Sequence, residues 1–428
     1  MDKFIKPAKH VFGEISLPGD KSIWHRALII SALSEGDSEI SGEGAGIDVE
    51  STENCLIQLG TKITHTNGKT IVTGKGLHGL EKPDSVLNAG NSGTTVRLLA
   101  GVLAAQGFES ELDGDNSLRK RPMNRIAAPL NQMGAQISPS PSGGCPLRIR
   151  GIPKLKPLHY EMPVASAQIK SALLLAGLCG GVELSLSEPY PSRDHTEIML
   201  EQAGAEIISE NGRIILTPAS GLKTSIHKIP GDFSSAAFFI TAALLLPGSE
   251  LTIKNVGLNG TRTGFLGVIQ EMGAELEIRN MEEISGEHVG DLFVKYSELR
   301  GVSIGAERVP SIIDELPLIG ILGAKADGVT LVSGAGELRV KESDRISRLV
   351  EGLRSIGAAA EEFEDGFSIE GKQNIRGGDV SSGNDHRIAM AFAIAGLASA
   401  DGVTVKNAES ASVSYPSFYK TLEEIVGR

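Results

Sequence analysis

The sequence predicts a mixed α/β protein of two domains, each assembled from three similar units. Three observations carry that prediction. The 428 residues hold 52 glycines against only 12 Phe, 5 Tyr and 1 Trp, a composition suited to many turns between closely packed elements. A helix–glycine–strand pattern returns six times along the chain. Two Pro-Gly-Asp turns stand half a chain apart.

The six copies are RALIISALSEGDSEIS, VRLLAGVLAAQGFESEL, IKSALLLAGLCGGVELSL, AAFFITAALLLPGSELTI, ELPLIGILGAKADGVTLV and RIAMAFAIAGLASADGVTV. In each, a helix rich in small and apolar residues runs to a glycine (Gly36, Gly107, Gly181, Gly248, Gly328, Gly402) and then into alternating apolar residues. The glycine is expected as a left-handed C-cap, and the alternation as a half-buried strand. A second helix end follows each copy: LIQLGTKI, LNQMGAQI, LEQAGAEI, IQEMGAEL, LRSIGAAA and LEEIVGR. Its glycines are Gly60, Gly134, Gly204, Gly273, Gly357 and Gly427. A period of about 70 residues means repeated supersecondary units that share a core.

The halves also echo one another, LPGDKS at 17–22 against IPGDFS at 229–234. Pro-Gly before a capping Asp is a turn into a helix start. The expected domains are therefore residues 19–230, and residues 1–18 with 231–428, the chain crossing between them near each turn.

The segments before the helices break an ordinary rule. They read GDKSIWHR, NAGNSGTTVR, VASAQIK, GDFSS, SIIDELP and GNDHR before the first helices, with DNSLRKRPM, SRDHT, NGTRTG and VKESDR before the second. Capping favours Ser, Thr, Asp and Asn, whereas Lys21, Arg26, Arg97, Arg121, Arg345 and Arg387 oppose the helix dipole. Any one of them could pair with a surface carboxylate. Six at equivalent positions point to a ligand with several negative charges, held by helix N-termini of both halves. Asp314 and Glu342 stand where other units place cations, and sequence leaves two roles open for them, salt-bridge partner or proton-transfer group.

Other classes are excluded. A net charge of −12 opposes a general nucleic-acid binder. Cys55, Cys145 and Cys179 are odd in number and far apart, so neither a disulfide framework nor a zinc site is expected. His25, His195 and His386 have no metal-ligand spacing, and no metal is expected. Apolar runs such as 236–246 fall short of the ~20 residues of a membrane span. With no leader-like N-terminus, a soluble cytoplasmic protein is expected.

The motifs GDKSIWHRALI, GNSGTTVRLLAG, DGDNSLRKRPM, SAQIKSALLLAGL, SRDHTEIML, DELPL, RVKESDR and NDHRIAMA together resemble the 5-enolpyruvylshikimate-3-phosphate synthase family, in order and over nearly the whole chain. The resemblance implies an inside-out α/β barrel of two domains, with six βαβαββ units, three per domain. It implies transfer of the enolpyruvyl group of phosphoenolpyruvate to the 5-hydroxyl of shikimate 3-phosphate, releasing phosphate, in the pathway to chorismate and the aromatic amino acids. Addition and elimination would pass through a tetrahedral intermediate, with no metal or organic cofactor. Small-molecule substrates, a monomer, and no nucleic-acid or membrane partner are expected. Inhibition by glyphosate in competition with phosphoenolpyruvate is also implied.

By the same resemblance, Lys21 would contact both substrates, and Ser22 and Arg26 would hold shikimate 3-phosphate. Ser166 would take its phosphate, beside Ala167, with Gln168 between the substrates and Arg193 assisting. Gly93, Arg121, Arg345 and Arg387 would form the phosphoenolpyruvate site. Asp314 would remove the 5-hydroxyl proton, and Glu342, with Lys21 nearby, would protonate C3 and later deprotonate it. Lys341 would lie near the shikimate hydroxyls. Ala167 replaces a commoner serine, and Val413 stands where many members carry a lysine. With Arg193, these features place the chain nearer the family's divergent second class. The sister UDP-N-acetylglucosamine enolpyruvyl transferase is the alternative, but it usually carries a Cys in the loop equivalent to 113–122, which has none here.

Overall fold

The computed structural model describes residues 1–44, 46–210 and 212–427. The chain divides into two compact units. The inserted unit comprises Gly19–Ile229 and Ile284–Glu287, and the terminal unit comprises Met1–Pro18, Pro230–Glu283 and His288–Arg428. Pro230 goes with the terminal unit because the adjoining Gly231 N donates to Asn255 O at 2.7 Å and Gly257 N donates to Gly231 O at 3.0 Å. Ile284–Glu287 goes with the inserted unit, where Ser285 Oγ donates to Ile226 O at 3.3 Å.

Among the described residues, the inserted unit carries six α-helices: α1 (Lys21–Leu33), α2 (Ile47–Gln58), α3 (Gly93–Ala104), α4 (Asn124–Gln132), α5 (Ala167–Cys179) and α6 (His195–Gln202). Its three sheets share one plan. In the first, Ile226–Lys228 runs parallel to Glu35–Ser41, which pairs antiparallel with Lys69–Lys75 and through it with Lys62–Thr66. The second sheet is Leu87–Asn88, Glu109–Asp113, Leu147–Arg150, Gln136–Ser138, and the third is Leu158–Glu161, Leu184–Ser187, Arg213–Leu216, Ile207–Glu210. Each has one parallel pair and a closing antiparallel hairpin.

The terminal unit adds α7 (Phe233–Leu245), α8 (Gly264–Glu271), the short α9 (Val309–Ile312), α10 (Leu316–Lys325), α11 (Arg345–Ser355), α12 (His386–Leu397) and α13 (Phe418–Ile425). Two of its sheets repeat the plan, but the third has only three strands, Lys3–Ile5, Val403–Lys406 and Gly378–Ser381. The expected sixth copy is thus incomplete. After Val403–Lys406 the chain continues into α13, no hairpin follows, and the N-terminal strand Lys3–Ile5 takes the vacant edge in antiparallel register.

The first helix of each repeat is the buried one. All thirteen residues of α7 are buried, and so are all twelve of α12. A helix apolar all round belongs inside a core. Small residues allow close packing there: a Cβ at Gly101 of α3 would lie 2.1 Å from Ala172 O of α5, so only glycine fits. The second helices keep a polar face outward, as α11 does with Arg348, Glu351 and Arg354.

The two glycine sets behave differently. Gly60, Gly134, Gly204, Gly273 and Gly357 each follow their helix by one capping residue, with φ between +84° and +101°, the left-handed C-terminal position that the sequence suggested for the first set. Of the first set, Gly181 takes the same place, one capping residue past α5 with φ +60°, and the others lie farther out. Gly36 is inside the strand Glu35–Ser41, and Ser34 is the cap of α1. Those helices end on an extended or near-helical capping residue, and the glycine serves the turn into the strand.

Candidate functional site

Every cation-bearing segment singled out in the sequence lies at a helix start. In the inserted unit, Asp20 caps α1 by accepting Ile23 N at 3.0 Å, so Lys21 and Ser22 open the helix. Ser92 caps α3, and Gly93 is its first residue. Ser166 caps α5, accepting Ile169 N at 3.4 Å, with Ala167 and Gln168 following. Three side-chain-capped helix N-termini are thereby presented by one unit.

The side chains around them are held by specific partners. Lys21 Nζ pairs with Asp48 of α2 at 2.8 Å. Arg26 is 3% exposed; its Nε donates to Thr196 Oγ1 at 2.7 Å, Nη2 to Ser171 Oγ at 2.8 Å and Nη1 to Ser22 O at 2.8 Å. Two of these bonds tie α1 to α5 and α6, and the third returns to the first turn of α1 itself. Arg97 Nη1 donates to Gln168 Oε1 at 2.5 Å, and Gln168 Nε2 donates to Thr94 Oγ1 at 3.0 Å, so α3 and α5 are bridged where each begins. Arg121 follows a 3-10 turn at Leu118–Lys120 and donates through Nη2 to Asn91 Oδ1 at 2.7 Å. A Cβ on Gly93 would sit 2.8 Å from Arg97 Nη1 and 3.0 Å from Arg121 Nη1. Two guanidinium groups thus face one glycine at a helix N-terminus. Arg193 is half-buried just before α6.

The terminal unit gathers the other candidates. Asp385 caps α12 and Asp344 caps α11, so Arg387 and Arg345 lie in first turns. Asp314 precedes α10, whose cap is Glu315. Arg345 is 1% exposed and meets three carboxylates: Asp385 at 2.8 Å, Glu342 at 2.6 Å and Asp314 at 3.4 Å. Burial alone would lower the pKa of that guanidinium, but Asp385, Glu342 and Asp314 outweigh it and raise the pKa above the ordinary arginine value. Arg387 reaches Asp314 at 3.3 Å and the fully buried Glu315 at 3.7 Å. Lys341 is half-buried beside Glu342. Asp314 and Glu342 are both ion-paired, so neither of the two roles left open by sequence excludes the other. Val413, in the 3-10 turn Ala408–Val413, is half-buried.

Two residues to which sequence reasoning assigned no role, Asp48 and Asp385, hold Lys21 and Arg345. Asp48 follows a glycine-rich turn and gives no signal of its own. Asp385 stood in plain view as a cap in GNDHR. Arg97 was marked as a cation, and its spacing of four residues from Gly93 on one helix was the clue to its place. Among the described residues, no group of three His, Cys, Asp or Glu side chains could hold a metal ion, and no helix is long and apolar enough to cross a membrane.

Residues 5–422 match the family model of EPSP synthase (3-phosphoshikimate 1-carboxyvinyltransferase). A curated protein of Thermoanaerobacter sp. strain X514, named 3-phosphoshikimate 1-carboxyvinyltransferase, is 46% identical over 423 residues, covering 99% of this chain and all of that one. Among solved structures, an EPSP synthase of Acinetobacter baumannii superposes with a TM-score of 0.87 at 40% identity, covering 99% and 98% of the two chains. The enolpyruvyl transferase NikO of Streptomyces tendae has a TM-score of 0.80 at 16% identity, covering 99% and 96%, a likeness of fold.

Proposed function

The chain belongs to the EPSP synthase family and transfers the enolpyruvyl group of phosphoenolpyruvate to shikimate 3-phosphate, and on that premise we propose how its own residues divide the work. The observation that carries the reading is the pair of charged clusters at helix starts, one cationic in the inserted unit and one mixed in the terminal unit.

In this reading Lys21, Ser22, Arg26, Ser166, Ala167, Gln168, Arg193, Asp314 and Lys341 bind shikimate 3-phosphate. The caps of α1 and α5 support it, because a phosphate is favoured where free N–H groups and a helix dipole point outward. Phosphoenolpyruvate takes Lys21, Gly93, Arg121, Gln168, Arg345 and Arg387. Gly93 lets an anion reach the α3 backbone between Arg97 and Arg121, while the arginine forks suit carboxylate and phosphate oxygens.

Asp314 accepts the proton of the 5-hydroxyl as that oxygen attacks C2 of phosphoenolpyruvate. Two guanidinium groups, those of Arg345 and Arg387, flank its oxygens. Glu342 gives a proton to C3 in the addition step and takes one back as the C–O bond to phosphate breaks. Lys21 assists that proton transfer, and Lys341 serves the shikimate hydroxyls. Proton donor and acceptor are thus separate carboxylates, and the tetrahedral intermediate forms and collapses without a cofactor.

We also read the enzyme as a monomer of the cytoplasm that binds no nucleic acid; the net charge of −12 and three buried free thiols support the last two points. Phosphate release from phosphoenolpyruvate is the test. It is expected with shikimate 3-phosphate and absent with UDP-N-acetylglucosamine, and the reverse result would overturn the reading.

A further inference from the structure

Two helices that carry substrate-binding candidates, α1 and α3, are joined through α2 by a file of buried side chains. His25, Thr52, Thr95 and Ser92 are each 0% exposed. His25 Nδ1 lies 2.7 Å from Thr52 Oγ1, and Thr52 Oγ1 lies 2.7 Å from Thr95 Oγ1. Thr95 Oγ1 donates to Ser92 Oγ at 2.8 Å, and Ser92 Oγ also accepts Thr95 N at 3.2 Å, capping α3 just before Gly93.

A hydroxyl has one proton to give. Thr95 gives its proton to Ser92, so it accepts from Thr52. Thr52 gives its proton to Thr95, so it accepts from His25. The imidazole must then carry its proton on Nδ1, and the last link of the file sets the tautomer of the first residue. The ring is neutral, because burial, Lys21 and Arg26, in that order, hold its pKa well below 6.5. Its bare Nε2 is buried with no hydrogen-bond partner among the described residues. Such a file is directional, and each bond polarises the next.

A second rung joins the same two helices. Lys21 pairs with Asp48 at 2.8 Å, four residues before His25 on α1 and four before Thr52 on α2. Helix α2 carries no substrate-binding candidate, yet it grips α1 at two points one turn apart.

We propose that Thr52 is a positioning residue for the reaction. Its hydroxyl fixes Lys21 and Arg26 of α1 against the Gly93 end of α3 through the directed file His25 to Thr52 to Thr95 to Ser92. The positioning role rests on the assignment of Lys21, Arg26 and Gly93 to substrate binding; the direction of the file does not. Thr52→Val keeps the shape but leaves the His25 Nδ1–H and the Thr95 oxygen facing a methyl group.

Two measurements test it. In wild-type protein labelled with 15N-histidine, NMR should place the proton of His25 on Nδ1, with Nε2 bare. A proton on Nε2 would overturn the directed file whatever the variants do. Thr52→Val should lower kcat/KM by up to about 10²-fold, the scale of a small misplacement of binding groups, and Thr52→Ser should restore most of it. Wild-type kinetics in Thr52→Val would overturn the positioning role. Should that variant not fold, Thr95→Val cuts the file at the next link and carries the same expectation. Unchanged substrate binding in Arg26→Ala would sink the site assignment while leaving the tautomer reading intact, so the two failures are distinguishable.

Discussion

The carboxylate of Asp385 holds Arg345 and starts a helix at once. It accepts Arg345 Nε at 2.8 Å through one oxygen and Arg387 N at 2.9 Å through the other, with both side chains shut away from solvent. Removing that carboxylate takes the cap from α12, at a cost of about 0.5–2 kcal/mol, and leaves Arg345 only the part-exposed Glu342 and Asp314 as counter-ions. Asp385→Ala should therefore unfold at clearly lower urea, and Asp385→Asn, which retains an acceptor for the cap, should lose less. An unchanged midpoint for Asp385→Ala would refute the dual role.

The two acids separate from the cations in kinetics. Asp314→Asn and Glu342→Gln should each lose about 10²–10⁴-fold in turnover, the scale of general acid–base groups. Both should still bind shikimate 3-phosphate in a calorimeter. Each variant leaves Arg345 with two of its three carboxylates, so the fold should persist. Turnover near wild type in both would remove them from the chemistry.

Gly93 sets the room available to an anion at α3. An added methyl would meet Arg97 Nη1 and Arg121 Nη1 at 2.8 and 3.0 Å, both far ends of flexible side chains that can swing aside. Gly93→Ala should thus fold normally, raise KM for phosphoenolpyruvate, and weaken glyphosate by a larger factor, since specificity is a difference of two affinities. Inhibition curves at fixed phosphoenolpyruvate check it. An equal change for both would contradict the steric account.

Acid should destabilise the protein through its buried histidines. Burial lowers the pKa of His227 from 6.5 to about 4, and that of His25 also falls well below 6.5. As pH drops through 6.5 the unfolded chain takes up protons that the folded chain refuses. The stability present above pH 6.5 is lost progressively toward pH 4, by about 3 kcal/mol for His227 alone. Urea midpoints at pH 7.5 and 4.5 should differ, and His227→Gln should shrink the difference. Equal loss in both proteins would rule His227 out as a source.

The chain itself determined the repeat, the caps and the places of the charges. Asp20, Ser92, Ser166, Asp232 and Asp385 were readable because capping is a local bargain between a side chain and N–H groups three residues away or fewer. The second-set glycines were readable as helix ends, and Gly60, Gly134, Gly204, Gly273 and Gly357 take φ > 0 because a helix that must turn back within one residue needs it. Gly36 was misjudged as a cap because the distance from helix end to strand start depends on where the sheet lies. Burial of the first helices also followed from sequence, since a face-free apolar helix has nowhere else to go.

Only the tertiary structure decided which charge meets which. Lys21 and Asp48, Arg97 and Gln168, and Arg345 and Asp385 are 27, 71 and 40 residues apart. No periodicity encodes such pairs, because each depends on how separate helices are set beside one another. The direction of the His25–Thr52–Thr95–Ser92 file is hidden for the same reason. Helix starts are chosen by neighbours in the chain, whereas the partners of buried polar groups are chosen by packing, which brings distant residues within 3 Å and leaves each donor one proton to place.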